Sequence, residues 1–407
     1  MEKTYKYLDY IAYWSMIIIP FSMAIAPAPA NIFFGLLLIS FLGKKVINHK
    51  SISMRNALNM PFLLVFIFSL ISFKNTAYFG ESMHGLVKLI KYWAIVLVCS
   101  QELKDKKHIE KIFISILLGA SLVSIDALWQ IAFGSDFIRG NALQSAIGLI
   151  RPTASFPNPN VMGIYLSATT PLIIGLTFFY YRGKDRLIMF WFSILVVWGV
   201  FSTLSRGSGL GFYFAFLFLS MAKKNKRIAA ALILLFLIFP LIMPKNIKNW
   251  SREIKYNPLV FLCNYDRLSM YRNTLNMIRH HPFIGVGINT FSKNYARYKL
   301  SEPENGKTPN SIYAHNSYLH MTGETGLLGL GAFFCLIFVL FKNCAGIYPR
   351  LKDGYYRIVL LSISACLLAF LINGLTETSF YYPRVVMIFW YLAGFALAFK
   401  KFVPPDA

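Results

Sequence analysis

A histidine next to an asparagine is the part of this chain best suited to acid–base chemistry. His315 and Asn316 end a polar stretch and precede an apolar run that contains Gly326 and Gly329. An imidazole titrates near neutral pH, so it can take the proton of an attacking hydroxyl group. Taken alone, such a histidine is more commonly a hydrogen-bonding group at an interface. His315 is therefore a candidate catalytic residue and Asn316 a candidate substrate-binding residue, and both need support from elsewhere in the chain.

Three arginines are candidates for binding a diphosphate, because a guanidinium group donates two parallel charge-assisted hydrogen bonds to phosphate oxygens. Arg206 lies in a Ser- and Gly-rich link between two apolar runs, where a charge usually faces a polar cavity. Arg151 opens a turn rich in Pro and Asn, and Arg272 lies on a predicted loop helix over residues 266–278. Each arginine also has an explanation that involves no function. Arg206 could anchor the chain at the membrane interface, the Arg151 turn could serve to cap the next helix, and Arg272 could be a surface charge. These alternatives stay open.

Two lysines complete the set of candidate substrate-binding residues. Lys88 and Lys91 lie three positions apart on one face of a predicted membrane helix, and charges at such positions are functional candidates. No Asp-x-Asp pair occurs in a predicted external loop, so a metal-held nucleotide-sugar site lacks its usual carboxylates. The chain also has no Gly-rich phosphate-binding loop, and its five cysteines have no zinc-ligand spacing. No metal and no cofactor are predicted.

The elements that must position these residues are membrane helices. Of the 407 residues, 56% are apolar and 14% are charged, and apolar runs of about 17–22 residues recur, as a bilayer core requires. The net charge of +24 would suggest a nucleic-acid partner for a soluble protein. Here Lys and Arg gather in short loops on one side of the membrane, so no nucleic acid is expected. The sequence predicts an all-α polytopic membrane protein.

Twelve membrane helices are predicted, and the distribution of Lys and Arg orients them. They lie at 9–26, 30–43, 59–73, 83–100, 112–134, 159–181, 187–203, 207–222, 228–243, 323–341, 357–374 and 380–399. The basic loops and both termini then face the cytoplasm. Three parts follow from this: helices 1–9 in residues 1–244, a large periplasmic loop domain in 245–322, and helices 10–12 with a cytoplasmic tail in 323–407.

The predicted loop domain is basic. Its charge suggests an anionic partner such as lipid phosphate, or equally a solvated surface beside anionic headgroups. Apolar residues recur with helical spacing over 266–278, so that face is predicted to lie on the membrane or on the helix bundle. Residues 281–287 form a predicted turn in which Gly285 and Gly287 allow a close backbone approach.

Three motifs together resemble the signature of the bacterial O-antigen ligase family. The first is His315-Asn316 followed, after nine residues, by Gly326-Leu327-Leu328-Gly329. The second is Ser205-Arg206-Gly207, and the third runs from Arg272 through His281-Pro282 to Gly285-Val286-Gly287. Twelve spans with one large periplasmic loop before the last helices also fit that family.

The resemblance implies a glycosyltransferase fold of the C type in the bacterial inner membrane. It implies transfer of a glycan from undecaprenyl diphosphate to a sugar of the lipid A core at the periplasmic face, among membrane lipids. The family's essential histidine falls on His315, and its two arginines fall on Arg206 and Arg272. The donor carries its own diphosphate leaving group, so ATP is not needed, and a single displacement would invert the sugar carbon. His315 would either deprotonate the acceptor hydroxyl or only orient it.

Two other functions remain open. An O-antigen or capsule polymerase would share this fold and a basic periplasmic loop. A polysaccharide transporter would fit twelve spans with scattered intramembrane charges. However, the two halves of the chain show no internal repeat, and the large loop follows the ninth span instead of standing at the midpoint. The spacing of the His-Asn and Gly-x-x-Gly motifs favours the ligase.

Overall fold

Apolar runs of the predicted length form long helices in the computed structural model of the chain. The structure describes residues 2–48, 54–146, 148–242, 245–300 and 313–404. Fifteen α-helices lie in these ranges: α1 Glu2–Ile25, α2 Pro27–Ile47, α3 Asn59–Ile71, α4 Phe79–Glu102, α5 Lys106–Phe133, α6 Pro159–Phe179, α7 Gly183–Ser202, α8 Arg206–Ala222, α9 Lys226–Ile242, α10 Lys245–Glu253, α11 Pro258–His280, α12 Phe291–Asn294, α13 Ser317–Ile347, α14 Gly354–Asn373 and α15 Pro383–Ala398. One antiparallel hairpin pairs β1 Gln144–Ala146 with β2 Leu149–Arg151.

The predicted class of an all-α polytopic membrane protein is confirmed. Within the described residues, nine helices are long and apolar enough to cross a membrane: α1, α2, α4, α5, α6, α7, α13, α14 and α15. The other three predicted spans fall on α3, α8 and α9, which have 13, 17 and 17 residues. These helices are shorter than the roughly 20 residues that usually span a bilayer. The count of twelve spans and the C-type arrangement therefore stay predictions.

The most buried helices form the centre of the bundle. α6 is buried nearly all round and packs on α7, α8 and α14, whereas α15 packs on α4 and α3 packs on α13. A helix that is apolar on every face needs such a central position. α6 begins at Pro159, and the side chain of Asn158 caps it by accepting a 3.0 Å hydrogen bond from the Val161 amide. This cap fixes the direction in which the chain leaves the Arg151 turn.

The described residues of the predicted loop domain, 245–300 and 313–322, fold onto one end of the bundle, which we call the loop end. Residues 301–312 of that domain lie outside the described ranges. It is the end at which α5 and α14 finish and at which α6, α8, α13 and α15 begin. The buried side of α11 carries Met270 and Met277, which form a small core with residues of the following segment. Leu275, on the predicted apolar face, is 44% exposed, so that face is turned away from the protein at this position. α13 already begins at Ser317, five residues before the predicted end of the loop domain.

Candidate functional site

The helix that follows His315 is broken, and a loop fills the break. Gly326 has a φ of +68°, which interrupts α13 after its first two turns. The turn over residues 282–287 lies against this break and forms four backbone hydrogen bonds with it. These are Val286 N to Gly323 O (3.0 Å), Gly287 N to Glu324 O (2.9 Å), Leu327 N to Pro282 O (2.8 Å) and Leu328 N to Phe283 O (3.2 Å). Gly285 and Gly326 lie at this contact, where a Cβ atom would meet the opposite backbone.

The backbone around His315 is fixed by contacts with two other segments, α11 and the link between α14 and α15. His315 has a φ of +47°, in the left-handed region that non-glycine residues rarely occupy. The Tyr271 hydroxyl donates to the His315 carbonyl at 3.1 Å, and the Ser317 amide donates to the Gly374 carbonyl at 2.7 Å. The Asn316 side chain caps α13 by accepting from the Tyr318 and Leu319 amides, and it donates to the Leu375 carbonyl at 2.9 Å. Asn316 thus holds the start of α13 against the link between α14 and α15, and its predicted role in substrate binding stays a prediction.

The imidazole of His315 meets a buried carboxylate. Its Nδ1 lies 3.1 Å from Oε2 of Glu377, which stands in the link between α14 and α15 and is 1% exposed. The other oxygen of Glu377 pairs with Nη2 of Arg267 on α11. Nη1 of Arg267 also donates to the Thr376 carbonyl at 2.6 Å. Glu377 thus joins the candidate base to a cation on the loop.

This arrangement fixes the charges of Glu377 and of its partner Arg267. Burial alone would raise the pKa of Glu377, but the Arg267 guanidinium and the hydrogen bond with His315 lower it below its usual value of 4.5. Burial alone would lower the pKa of Arg267, and the Glu377 carboxylate raises it. At neutral pH both groups are therefore charged.

A second arginine reaches the same carboxylate through an amide side chain. Asn160, in the first turn of α6, donates to Oε1 of Glu377 at 2.6 Å. The carbonyl oxygen of the same Asn160 side chain accepts from Nη2 of Arg151 at 2.7 Å, and Nε of Arg151 donates to the Thr203 carbonyl at 2.8 Å. Burial and the nearby charge of Arg267 lower the pKa of Arg151. Two guanidinium groups therefore share this small region.

Arg206 brings a third guanidinium group to α11. It is the first residue of α8, and its Nη2 donates to Oδ1 of Asn264 at 2.6 Å, while Nη1 contacts the Phe261 carbonyl. Asn264 lies at a kink in α11, where its φ is +62°, and Arg267 follows three residues later. Arg206 therefore binds α11 at the bend that precedes Arg267. The neighbouring Gly207 packs against Thr376, which leaves no space for a larger residue between α8 and the link that carries Glu377.

Strained backbone is concentrated around this group of side chains. Three non-glycine residues with positive φ belong to it or lie beside it: Leu204 (+49°), Asn264 (+62°) and His315 (+47°). Leu204 lies two residues before Arg206, and Asn264 accepts a hydrogen bond from Arg206. Such conformations cost of order 1–3 kcal/mol each and cluster at functional sites, where the surrounding structure holds them in place. Their location supports the choice of this region as the candidate site.

The structure brings together only part of the predicted site. His315 contacts Glu377 directly, and Arg151 reaches it through Asn160. Asn316 bonds to the Leu375 carbonyl and Arg206 to Asn264, whereas Arg272 lies on the exposed face of α11. Lys88 and Lys91 lie on α4, where they are hydrogen-bonded to Asn289 at 2.9 Å and to Asn31 at 2.7 Å. The roles predicted for these three cations stay predictions.

Sequence reasoning missed Arg267, and it noted Asn160 and Glu377 as residues that could be functional without selecting them for the site. Glu377 gave one signal, because an acidic residue beside an external turn of a basic membrane protein is unusual. Arg267 is five residues from Arg272 on the same helix, and its contacts make it the stronger candidate for the same role. Within the described ranges, no group of three or more His, Cys, Asp or Glu side chains is placed to hold a metal ion.

Comparison with known proteins places this region in a family. Residues 170–334 match the family model described as O-antigen ligase, a range that contains Arg206, Arg267, Arg272 and His315. The chain is also similar to a Rickettsia conorii protein named "Putative polysaccharide ligase", with 26% identity over 235 residues. The match covers 55% of this chain and 53% of that protein, so the chain spans about half the length of its curated relative. The resemblance predicted from the sequence is therefore confirmed, and residues 170–334 carry a domain of the O-antigen ligase family.

Proposed function

We propose that this protein is an O-antigen ligase of the bacterial inner membrane. It transfers a glycan from undecaprenyl diphosphate to a sugar of the lipid A core, at a periplasmic site, with both termini in the cytoplasm. The observation that carries the proposal is the 3.1 Å contact between His315 and the buried carboxylate of Glu377, beside Arg151, Arg206 and Arg267. A candidate base and three cations at one end of a helix bundle suit a lipid-linked diphosphate donor.

Glu377 determines which nitrogen of His315 can act as a base. An ionised carboxylate has no proton to donate, so Nδ1 of His315 must carry the hydrogen of their shared bond. The lone pair of the neutral imidazole then lies on Nε2. This nitrogen can accept the proton of the acceptor hydroxyl, while Glu377 stabilises the imidazolium that forms.

The bond changes then follow a single displacement. The acceptor oxygen forms a bond to the anomeric carbon, its proton moves to Nε2 of His315, and the bond from that carbon to the diphosphate oxygen breaks. The electron pair of the broken bond leaves with undecaprenyl diphosphate. Guanidinium groups aimed at the leaving oxygen stabilise its growing charge, a contribution that is large in a water-poor site. Such attack from the opposite face inverts the sugar carbon.

The energy of the reaction comes from the diphosphate ester of the donor, so the proposed reaction uses no ATP. It also includes no metal ion, because arginine side chains are proposed to stabilise the leaving group. Its chemistry needs only groups that are present: one base, one carboxylate that orients the base, and cations for the leaving group. This set also argues against a retaining, glycosidase-like reaction, which needs two carboxyl groups about 5 Å apart. Glu377 is the carboxyl group at the candidate site, and its two oxygens are engaged by His315, Arg267 and Asn160.

The proposal is tested by the lipopolysaccharide of a strain that lacks this gene and is complemented with wild type, His315→Ala or the control His280→Ala. His280 is an exposed histidine at the end of α11. We expect the deletion and His315→Ala to lose glycan on the lipid A core while lipid-linked polymer accumulates, and His280→Ala to resemble wild type. A core that carries a single repeat unit would instead identify a polymerase. An unchanged pattern in the deletion strain would overturn both functions.

A further inference from the structure

An apolar groove lies on the loop end of the bundle, away from the arginines. Its volume is about 150 Å³, and its lining comes from α3, α4, α13, α15 and the segments before α12 and α13. Its apolar lining includes Phe62, Val65, Leu89, Phe333 and Trp390, and the buried Glu324 also lines it. Binding pockets for whole small molecules measure roughly 300–1,000 Å³. This groove therefore suits part of one hydrocarbon chain.

Aromatic side chains join the groove to the candidate site. Tyr313 lines the groove and stands two residues before His315. Its ring lies 5.8 Å from the ring of Tyr382, and the charge of Glu377 raises the pKa of Tyr382 in addition to the effect of burial. Glu377, Tyr382, Tyr313 and the groove thus form a continuous series of neighbours. A molecule with its chain in the groove can place its head beside His315.

The groove and the arginines belong to different parts of the bundle. Arg151 is bonded to Asn160 in the first turn of α6, and Arg206 begins α8. Both helices pack on α14, whereas the groove is formed where α3 packs on α13 and α4 on α15. In a single displacement, the attacking oxygen and the leaving oxygen lie on opposite sides of the reacting carbon. If the arginines hold the leaving diphosphate, the groove lies where the attacking molecule approaches.

The rim of the groove carries a cation. Lys88 is an exposed lining residue, and its ammonium group donates to Oδ1 of Asn289 at 2.9 Å. An ammonium group has three N–H donors, and this contact uses one of them. Asn289 is itself held by a 3.0 Å bond from its Nδ2 to the Glu81 carbonyl, so Lys88 is directed toward the loop. A positive rim above an apolar interior is complementary to a phosphorylated lipid.

We propose that this groove binds an acyl chain of the acceptor glycolipid and that Lys88 pairs with a phosphate of the same molecule. The inference rests on the proposed ligase function and adds the acceptor's lipid part to it. It also separates the two substrates in space, with the prenyl diphosphate on the arginine side of His315 and the acceptor lipid on the groove side. Lys88 then contacts the acceptor, whereas Arg151, Arg206 and Arg267 contact the donor.

The test uses the full-length protein in proteoliposomes, with lipid A core as acceptor in its native form and in a chemically deacylated form that keeps its phosphates. Val65→Phe fills the groove, and Leu63→Phe is its control, because Leu63 is on the same helix but 48% exposed. We expect Val65→Phe to raise KM for the acylated acceptor about tenfold. KM for the deacylated acceptor and for the donor should stay at the wild-type value, and Leu63→Phe should leave all three unchanged.

Lys88→Gln gives a second, independent readout on an exposed residue, should Val65→Phe fail to fold. We expect KM for both acceptor forms to rise about fivefold, the effect of one lysine near a lipid phosphate. The rise should disappear with a dephosphorylated acceptor, and the exposed Lys74→Gln should behave as wild type.

A higher donor KM with unchanged acceptor KM would assign the groove to the donor's prenyl chain and overturn the proposal. Unchanged constants in both variants would also overturn it, while wild-type transfer would still support the ligase function. Failure of wild type to transfer glycan would instead contradict the ligase function itself.

Discussion

Nδ1 of His315 and Oε2 of Glu377 lie 3.1 Å apart, although 62 positions separate the two residues in the sequence. One residue precedes α13 and the other follows α14, so two long helices must pack correctly before the contact can form. Glu377 is buried and paired with Arg267, which keeps it ionised and fixes its direction. The candidate base is therefore oriented by the fold of the whole loop end.

Glu377→Gln should lower kcat strongly while the protein still inserts in the membrane. A glutamine amide can donate to Nδ1 and thus favour the tautomer whose Nε2 carries the proton and cannot act as a base. We expect a loss of roughly 10²–10⁴-fold, as for removal of general-base catalysis by His315→Ala. Rates of glycan transfer by the purified variants provide the measurement, with the exposed Glu253→Gln as control. Wild-type kcat in Glu377→Gln would show that the carboxylate does not select the tautomer.

Arg267→Lys should impair transfer more than any other Arg→Lys change on α11. Lysine keeps the charge but cannot bond both Glu377 and the Thr376 carbonyl through one planar group. A hydrogen bond to a charged group contributes about 1.5–3 kcal/mol, so kcat/KM should fall roughly 10- to 100-fold. Arg279→Lys, on the exposed last turn of the same helix, should match wild type. A larger loss in Arg272→Lys than in Arg267→Lys would support the assignment made from the family resemblance.

The stabilising effect of Glu377 should depend on pH in a defined direction. Because its pKa is lower in the folded protein than the usual 4.5, the carboxylate stabilises the fold above pH 4.5. That contribution is lost as the pH falls below 4.5 and through the folded-state pKa. Glu377→Gln leaves Arg267 without its charged partner and should be destabilised by roughly 3–5 kcal/mol at neutral pH.

Thermal denaturation of the detergent-solubilised protein measures this effect. The midpoints of wild type and Glu377→Gln should differ most near neutral pH and converge on acidification below pH 4.5. The exposed Glu253→Gln should follow wild type throughout. A difference that stays constant across this range would mean that the ionisation of Glu377 does not contribute to stability.

The sequence was sufficient to predict the long apolar helices and to select His315 as the candidate base, and both have physical reasons. A long apolar run can bury its backbone in a bilayer only as a helix, so α5 or α14 is visible without any partner. His315 is visible because its titration range is a property of the residue type. Arg206 could be found because a charge beside an apolar run is costly and unusual.

The sequence was not sufficient for residues whose role depends on a distant partner. Arg267 and Arg272 are the same residue type on the same helix, and only the contact with Glu377 distinguishes them. That contact depends on how α11 bends at Asn264, where the backbone has a φ of +62°. Asn160 could be predicted near a helix start, but its bridge between Arg151 and Glu377 appears only when α6 packs on α14.

Gly326→Ala should disrupt the site without changing any of its side chains. The Cβ atom of an alanine at this position would lie 2.1 Å from the backbone of Phe283, and the φ of +68° is itself unfavourable for alanine. The turn over residues 282–287 would have to leave the break in α13, so its four hydrogen bonds would be lost. We expect destabilisation of at least roughly 1–3 kcal/mol and a large loss of transfer activity.

Gly331→Ala is the matched control, because that residue lies further along the same helix with open space around its Cβ position. It should be neutral or slightly stabilising, since alanine favours a helix more than glycine does. Equal thermal midpoints and activities for the two variants would show that α13 does not need its break.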